Sequence, residues 1–208
     1  TISSKLYQIR ILVSGSHLEK KYGETLQILK MDGFQKLIDT VKISSPNIKD
    51  SSTSMVIGDA IKKYSLYLEK NKPDLFIVPC DRFEGFAAIV AATQKNVLTA
   101  HFEGGDITEG GCYDDSIRHA MTKLAHYHFV TNTKAKTNLI KMGEEKERIF
   151  LIGLPSLDII KEKKYTNHLD ICKKYNLQKN KPIILFTFHP IATLDQKNML
   201  MIKSLEKV

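Results

Sequence analysis

Cysteine is scarce in this chain of 208 residues: Cys80, Cys112 and Cys172 are few, odd in number, widely spaced and form no CxxC pair. That argues against a disulfide scaffold and for a reducing compartment, so a cytoplasmic location is expected. Long apolar runs are missing as well. No stretch reaches membrane-spanning length and no secretory signal is found, so no membrane partner is expected. An acidic excess is also lacking, since 31 Lys+Arg stand against 23 Asp+Glu for a formal net charge of +8. Much of the lysine lies in short runs such as Lys20–Lys21, Lys62–Lys63 and Lys161–Lys164. No basic stripe interleaved with aromatics accompanies them, which leaves a solvated surface rather than a nucleic-acid partner. The positive field suits an anionic substrate. Short-period repeats and low-complexity tracts are absent.

What is present is 42% hydrophobic residues, enough for one core and part of a second domain. Ile9–Ser14 reads as a buried strand. A short helix is expected over Thr25–Phe34, ending near Gly33, then a strand over Val41–Ser45, and a long helix after Ser51–Ser54 with Ile57, Ile61, Tyr64 and Leu68 at helical spacing. Leu75–Val78 is an apolar run of the kind found in buried parallel strands. Strand and helix then alternate: helix Glu84–Gln94, strand Val97–Ala100, helix Asp114–Tyr127, strand Phe129–Thr131, helix Thr133–Met142 closed by Gly143, strand Ile149–Ile152 and helix Ser156–Lys161. This alternation predicts an α/β fold, a doubly wound parallel sheet of Rossmann type. Lys163–Lys181 is polar and basic and reads as a boundary. A strand restarts at Pro182–Phe188 and a helix at Leu194–Leu205. The expected division is a first domain over 1–172, a linker over 173–181 and the start of a second domain over 182–208. The chain opens on Thr1, not Met, and a fragment of a longer protein is expected.

The stretch from His101 to Arg118, HFEGGDITEGGCYDDSIR, is the densest in chemistry. Glu103, Asp106, Asp114 and Asp115 surround a glycine-rich turn that runs into a helical pattern. Clustered carboxylates push one another's pKa values apart, as acid–base work requires. Ligands of parallel α/β sheets bind beyond the carboxyl ends of the strands. The periodicity places Asp81 and Arg82, Glu103, Asp114 and Asp115, and His189 on that edge. Each has a plainer alternative. Asp81 could cap the next helix, Arg82 could be a surface ion-pair residue, and Asp114 could pair with Arg118 four residues on. Gly104–Gly105 and Gly110–Gly111 could be turn glycines, and His189 could be structural. His119, His126 and His128 lack a third ligand at zinc spacing, so no metal site is expected among them.

Six segments, GSHLEKKYG (Gly15–Gly23), CDRFE (Cys80–Glu84), HFEGGDITEGG (His101–Gly111), DDSIRHAMTKLAHYHF (Asp114–Phe129), GLPSLD (Gly153–Asp158) and FHP (Phe188–Pro190), together resemble the UDP-N-acetylglucosamine 2-epimerases. The resemblance is to the hydrolysing branch, of sialic or legionaminic acid pathway type. It implies two Rossmann-like domains in the glycosyltransferase-B arrangement, with a first strand preceding Thr1 and a uridine-binding segment following Val208. It implies that UDP-GlcNAc and water give UDP and N-acetylmannosamine, or a related acetamido sugar, by elimination and then hydration at C2, with no cofactor and no metal. By the same resemblance Asp81, Glu103, Asp114 and Asp115 form the proton-transfer cluster, and His189 stabilises the leaving phosphate or acts as an acid. Arg82 contacts phosphate or orients Asp81, Gly104 and Gly105 let backbone approach the sugar, and Arg118 and His17 belong to the substrate side. A homodimer or homotetramer is implied, with weak support from apolar Ile61, Tyr64 and Leu68. Two departures stand out: Cys80 replaces the usual Gly, and the loop before Asp114 is longer than in the animal sialic-acid enzyme, which points to a different sugar. Two readings from other classes compete: a metal-dependent hydrolase using His101, Glu103, Asp106 and His119, and a non-catalytic nucleotide-sugar-binding module.

Overall fold

The computed structural model describes residues 6–43, 52–79, 81–108, 113–187 and 195–205. The chain divides into two compact units, residues 1–106 with 113–151 and residues 107–112 with 152–208.

In the first unit β1 (Ile11–Ser14) pairs in parallel with β2 (Ile38–Val41). A second parallel sheet runs in the order β3 (Phe76–Pro79), β4 (Thr99–Phe102), β5 (Tyr127–Val130) and β6 (Ile149–Leu151). The helices are the single turn α1 (Leu26–Leu29), α2 (Thr53–Lys70), α3 (Phe83–Gln94), α4 (Tyr113–Leu124) and α5 (Thr133–Lys141). The expected α/β alternation with a parallel sheet is therefore present. Because β3 to β6 are neighbours in chain order, right-handed crossovers set α3, α4 and α5 on one face of their sheet.

The sequence explains the packing. On α2 the buried residues Val56, Ala60, Tyr64 and Leu68 recur every fourth position, a single apolar stripe. It meets the small residues Ala87, Ala88, Ala91 and Ala92 of α3, which let the two helices approach closely, and this core reaches β1 and β2 through Leu12 and Val41. Tyr64 and Leu68 are thus spent inside the chain and offer nothing to a subunit interface. On α5 Asn132 caps the start, its Oδ1 accepting from Ala135 N at 2.8 Å. Gly143 closes the end in the left-handed region, with Gly143 N donating to Ile140 O at 3.0 Å.

Two histidines lie within the sheet. His101 and His128 pair across β4 and β5, on the same face, and neither is exposed. His101 Nδ1 lies 3.0 Å from Thr122 Oγ1 of α4, and His128 Nε2 lies 3.0 Å from Glu144 Oε2 beyond α5. Burial lowers the His128 imidazole from its ordinary value, against the pull of Glu144. The opposite face of the sheet carries Ile77, Phe102, Tyr127, Phe129 and Phe150, with the Phe129 and Phe150 rings 5.7 Å apart. Ile77 and Phe150 are exposed there.

Several boundaries differ from the sequence reading. In place of one helix over 25–34, α1 gives way to a wider turn over Lys30–Phe34 that bends at Gly33, φ 90°. β2 starts at Ile38, ahead of the expected Val41. α4 ends at Leu124, and Tyr127 already belongs to β5. In the second unit α6 (Ser156–Lys161) is as expected, and α7 (His168–Tyr175) rises within the polar stretch read as a boundary. α8 spans Asp195–Leu205. Residues 182–187 form no strand, and Ile184 and Leu185 are 89% and 90% exposed. Among the described residues no strand pairs with this run, and an apolar run by itself cannot satisfy its backbone groups in a sheet. Among the described residues no helix is long and apolar enough to cross a membrane.

Candidate functional site

The carboxyl ends of β3 and β4 and the first turn of α4 build the site. Asp81 follows β3, but the capping position of α3 is taken by Arg82, whose extended backbone (φ −81°, ψ 152°) precedes the helix. Asp81 is free to point elsewhere and does so: its Oδ2 accepts from Arg118 Nη2 in a charge-assisted contact. Arg82 turns the other way. Its Nε and Nη2 each donate to Glu84 at 3.1 Å, and this holds its guanidinium above the ordinary arginine value. Asp114 and Asp81 add to that field.

Glu84 is a site-forming residue that the sequence reading passed over as part of a helix. It is almost fully buried in the first turn of α3, where a negative charge suits the helix dipole. Gly15, after β1, lies against it. A Cβ there would stand 2.7 Å from Glu84 Oε1. Ser14 Oγ and Tyr64 Oη are 2.6 Å apart, and the Tyr64 hydroxyl is pushed up to about 12, chiefly by burial. The signal available in the sequence was an acid at the start of an otherwise apolar, alanine-rich helix.

After β4 the loop 103–106 is fixed residue by residue. Glu103 has φ 66°, a left-handed conformation that costs a non-glycine residue about 1–2 kcal/mol. Its N–H donates to Phe129 O at 2.9 Å. Gly104 packs so closely that a Cβ would stand 2.8 Å from His101 Nδ1 and 2.9 Å from Thr122 Oγ1. Gly105 (φ 87°) would place a Cβ 2.6 Å from Ala135 O, and its own carbonyl accepts from Asn138 Nδ2 at 2.8 Å. Asp106 accepts from Asn132 Nδ2 through Oδ1 at 3.1 Å and from Arg118 Nη1 through its carbonyl at 2.8 Å. The glycine requirement at 104 and 105 is set by protein atoms beneath the loop.

Arg118 is the centre of the arrangement. It is buried, and besides Asp81 and Asp106 it donates from Nη1 to Asp115 Oδ1 at 2.6 Å. The helical partner shown is Asp115, three residues back, rather than Asp114; both spacings share a helix face, and Asp115 is the one turned inward. Burial alone would lower the guanidinium pKa, but the hydrogen bonds and charges of Asp81 and Asp115 outweigh it and leave it raised.

Asp81, Asp115 and Arg118 are thus in direct contact. Glu103, Gly104 and Gly105 sit in the loop that Arg118 holds at Asp106, and Arg82 and Asp114 lie within one another's field. His17 stands on the turn after β1, where its Nδ1 lies 2.6 Å from Thr25 Oγ1. His189 lies outside the described residues, as do Cys80, Gly110, Gly111 and Cys112. Among the described residues no three His, Cys, Asp or Glu converge as a metal-binding set. His101, proposed above as one metal ligand, is instead buried against Thr122. An arrangement of carboxylates gathered by one buried guanidinium at a strand-end edge can move protons at a polar ligand.

Comparison with known proteins gives this chemistry a setting. Residues 2–208 match the protein family described as UDP-N-acetylglucosamine 2-epimerase. The chain is 34% identical over 184 residues to the UDP-N,N'-diacetylbacillosamine 2-epimerase (hydrolyzing) of Legionella pneumophila, covering 88% of this chain and 48% of that protein. It is 31% identical over 187 residues to the UDP-N-acetylglucosamine 2-epimerase of Neisseria meningitidis, covering 89% and 48%. The chain spans about half the length of the curated relatives it matches. In fold it is similar to the crystal structure of the Neisseria meningitidis UDP-GlcNAc 2-epimerase bound to UDP-GlcNAc, with a TM-score of 0.61 at 21% identity over 81% of this chain and 43% of that one.

Proposed function

The chain belongs to the UDP-N-acetylglucosamine 2-epimerase family, and from that premise we propose that the whole protein is a hydrolysing 2-epimerase acting on a UDP-linked acetamido sugar. The observation that carries the reading is the gathering of Asp81 and Asp115 by Arg118, next to the loop that presents Glu103. Relatives named as hydrolysing enzymes, from Legionella pneumophila and Campylobacter jejuni, support the hydrolysing subtype.

In this mechanism the C2–H of the sugar becomes acidic as the C1–O bond to UDP breaks and positive charge builds on the ring. A carboxylate of the group Asp81, Glu103, Asp114 and Asp115 takes the C2 proton, UDP leaves with the C1–O electron pair, and a glycal remains. A proton then returns to the opposite face of C2 while water adds at C1, giving the C2-inverted free sugar. Arg82 and His189 stabilise the developing diphosphate charge. Arg118, committed to three protein acceptors, serves the carboxylates rather than the substrate. Gly104 and Gly105 give the loop its shape, and His17 stands toward the substrate side.

The proposal extends to two Rossmann-like domains, with 1–172 in the first and 182–208 opening the second, to a homodimer or homotetramer, and to a cytoplasmic enzyme of acetamido-sugar acid biosynthesis. The subunit proposal rests on the family resemblance. The deciding experiment incubates the whole protein with UDP-GlcNAc and with UDP-diacetylbacillosamine in heavy water and identifies the products. UDP with a C2-inverted sugar carrying deuterium at C2 is expected. A UDP-linked epimer without UDP release would assign the non-hydrolysing reaction. UDP with an unaltered sugar would assign plain glycosyl hydrolysis.

A further inference from the structure

We infer that Asn138, on α5, is a positioning residue of this reaction: it holds the loop 103–106 in the shape that presents Glu103. The inference rests on the functional reading above and adds a residue to it. Asn138 stands in the middle of α5, where asparagine has no local advantage, because its amide competes with the helix backbone. Its side chain leaves the helix and donates from Nδ2 to Gly105 O at 2.8 Å, across 33 positions of sequence. The same face of α5 supports the loop from below. Ala135 O and Leu139 Cγ lie 2.6 Å and 3.0 Å from where a Gly105 Cβ would be, so this face and the loop are fitted to each other.

The loop needs such a support. Glu103 and Gly105 both have left-handed backbones, at φ 66° and 87°, and a non-glycine residue holds that conformation only where its surroundings fix it. The contacts that do so include Phe129 O on the Glu103 N–H, Asn138 on the Gly105 carbonyl, Asn132 on the Asp106 carboxylate and Arg118 on the Asp106 carbonyl. Arg118 also binds the carboxylates of the site, and Asn132 also caps α5. The hydrogen bond shown for Asn138 goes to the loop alone, so its loss reports on loop geometry.

The test replaces Asn138 in the whole protein by Leu, which has the same shape without a donor, and by His, whose Nδ1–H lies at the same number of bonds from the backbone. Leucine is the better helix former, so Asn138→Leu is expected to fold. A misplacement of about 1 Å can cost as much as about 10²-fold in rate. Asn138→Leu should lower kcat for UDP release roughly tenfold with KM within about twofold, and Asn138→His should recover most of that loss. Amide exchange over 103–106, followed by mass spectrometry, should rise in Asn138→Leu and stay unchanged in β5. With an active wild-type enzyme, unchanged kcat in Asn138→Leu, or equal losses in the Leu and His variants, overturns the inference and leaves the functional reading standing. If the wild-type protein releases no UDP from either sugar nucleotide, the functional reading fails first. Unchanged exchange over 103–106 in Asn138→Leu would then also remove the clamp.

Discussion

Replacing Arg118 by methionine removes the one guanidinium that Asp81, Asp115 and the Asp106 carbonyl share. The size of the effect follows from the surroundings. The Arg118 and Asp115 side chains are 10% and 13% exposed and Asp81 is 27% exposed. Removing one partner of a buried ion pair costs about 3–5 kcal/mol, because the other charge is left uncompensated. Asp81 regains water more easily than Asp115, which places the expected loss near the low end, about 3 kcal/mol. For a chain of this length that corresponds to a fall in Tm of roughly 6–12 °C. Lysine should lie between, since one ammonium cannot reproduce a fork aimed at three acceptors. Urea unfolding of wild type, Arg118→Met, Asp115→Asn and the double variant measures the loss and the coupling, expected at about 1 kcal/mol or more. A loss below about 1 kcal/mol would put this pair with solvent-exposed ion pairs and refute the reasoning. Activity of Arg118→Met should fall by about 10²-fold or more, because both carboxylates lose their fixed position.

Other expectations concern single residues. Glu103→Gln and Asp115→Asn should each lower kcat for UDP release by about 10²-fold or more with near-wild-type circular dichroism, as acid–base contributions of that size imply; near-wild-type rates would remove them from the proton-transfer group. Gly105→Ala forces a side chain into a left-handed backbone and against Ala135 O, so a loss of about 2–4 kcal/mol by denaturant titration is expected, and a neutral result would contradict the close approach. Burial lowers the folded-state pKa of His128, so the unfolded chain binds the proton more readily. Stability is therefore complete above the unfolded value of about 6.5 and declines as pH falls through the depressed folded value. A urea midpoint that drops from about pH 7.5 to about pH 5.5 in wild type and less in His128→Gln would fit, and an unchanged wild-type midpoint would not.

Much of the scaffold was legible because its signals are local. The apolar run at 75–78, the stripe down α2 and the glycine stop at Gly143 each follow from a few neighbouring residues. The ending near Gly33 was readable from the glycine itself, but the early stop of α1 at Leu29 was not, since nothing in Lys30–Asp32 distinguishes a continued α-helix from the wider turn that replaces it. α7 was hidden by its polarity, although Asn167 caps it by accepting from Asp170 N at 3.0 Å and Cys172 buries its inner face. At the site, residue types and strand-end placement were readable, but partnerships were not. Whether Arg118 takes Asp114 or Asp115 is open from helical spacing, and Asp81 and the Asp106 carbonyl reach it from other elements. The glycines of the loop read as freedom for a ligand, whereas their neighbours are His101, Thr122 and α5. Glu84 was overlooked because burial of a charge depends on Gly15, nearly seventy positions away.

The chain order of β3 to β6 bears on how the molecule is made. Each of these strands pairs with the next one synthesised, one helix later, so every pairing closes a short loop and none waits for a distant segment. A chain leaving the ribosome can therefore complete β3–α3–β4 before β5 exists and add each further strand to an edge already in place. The carboxylates of the site follow the same sequence: Asp81 and the Glu103 loop are laid down first, and Arg118, arriving with α4, draws them together.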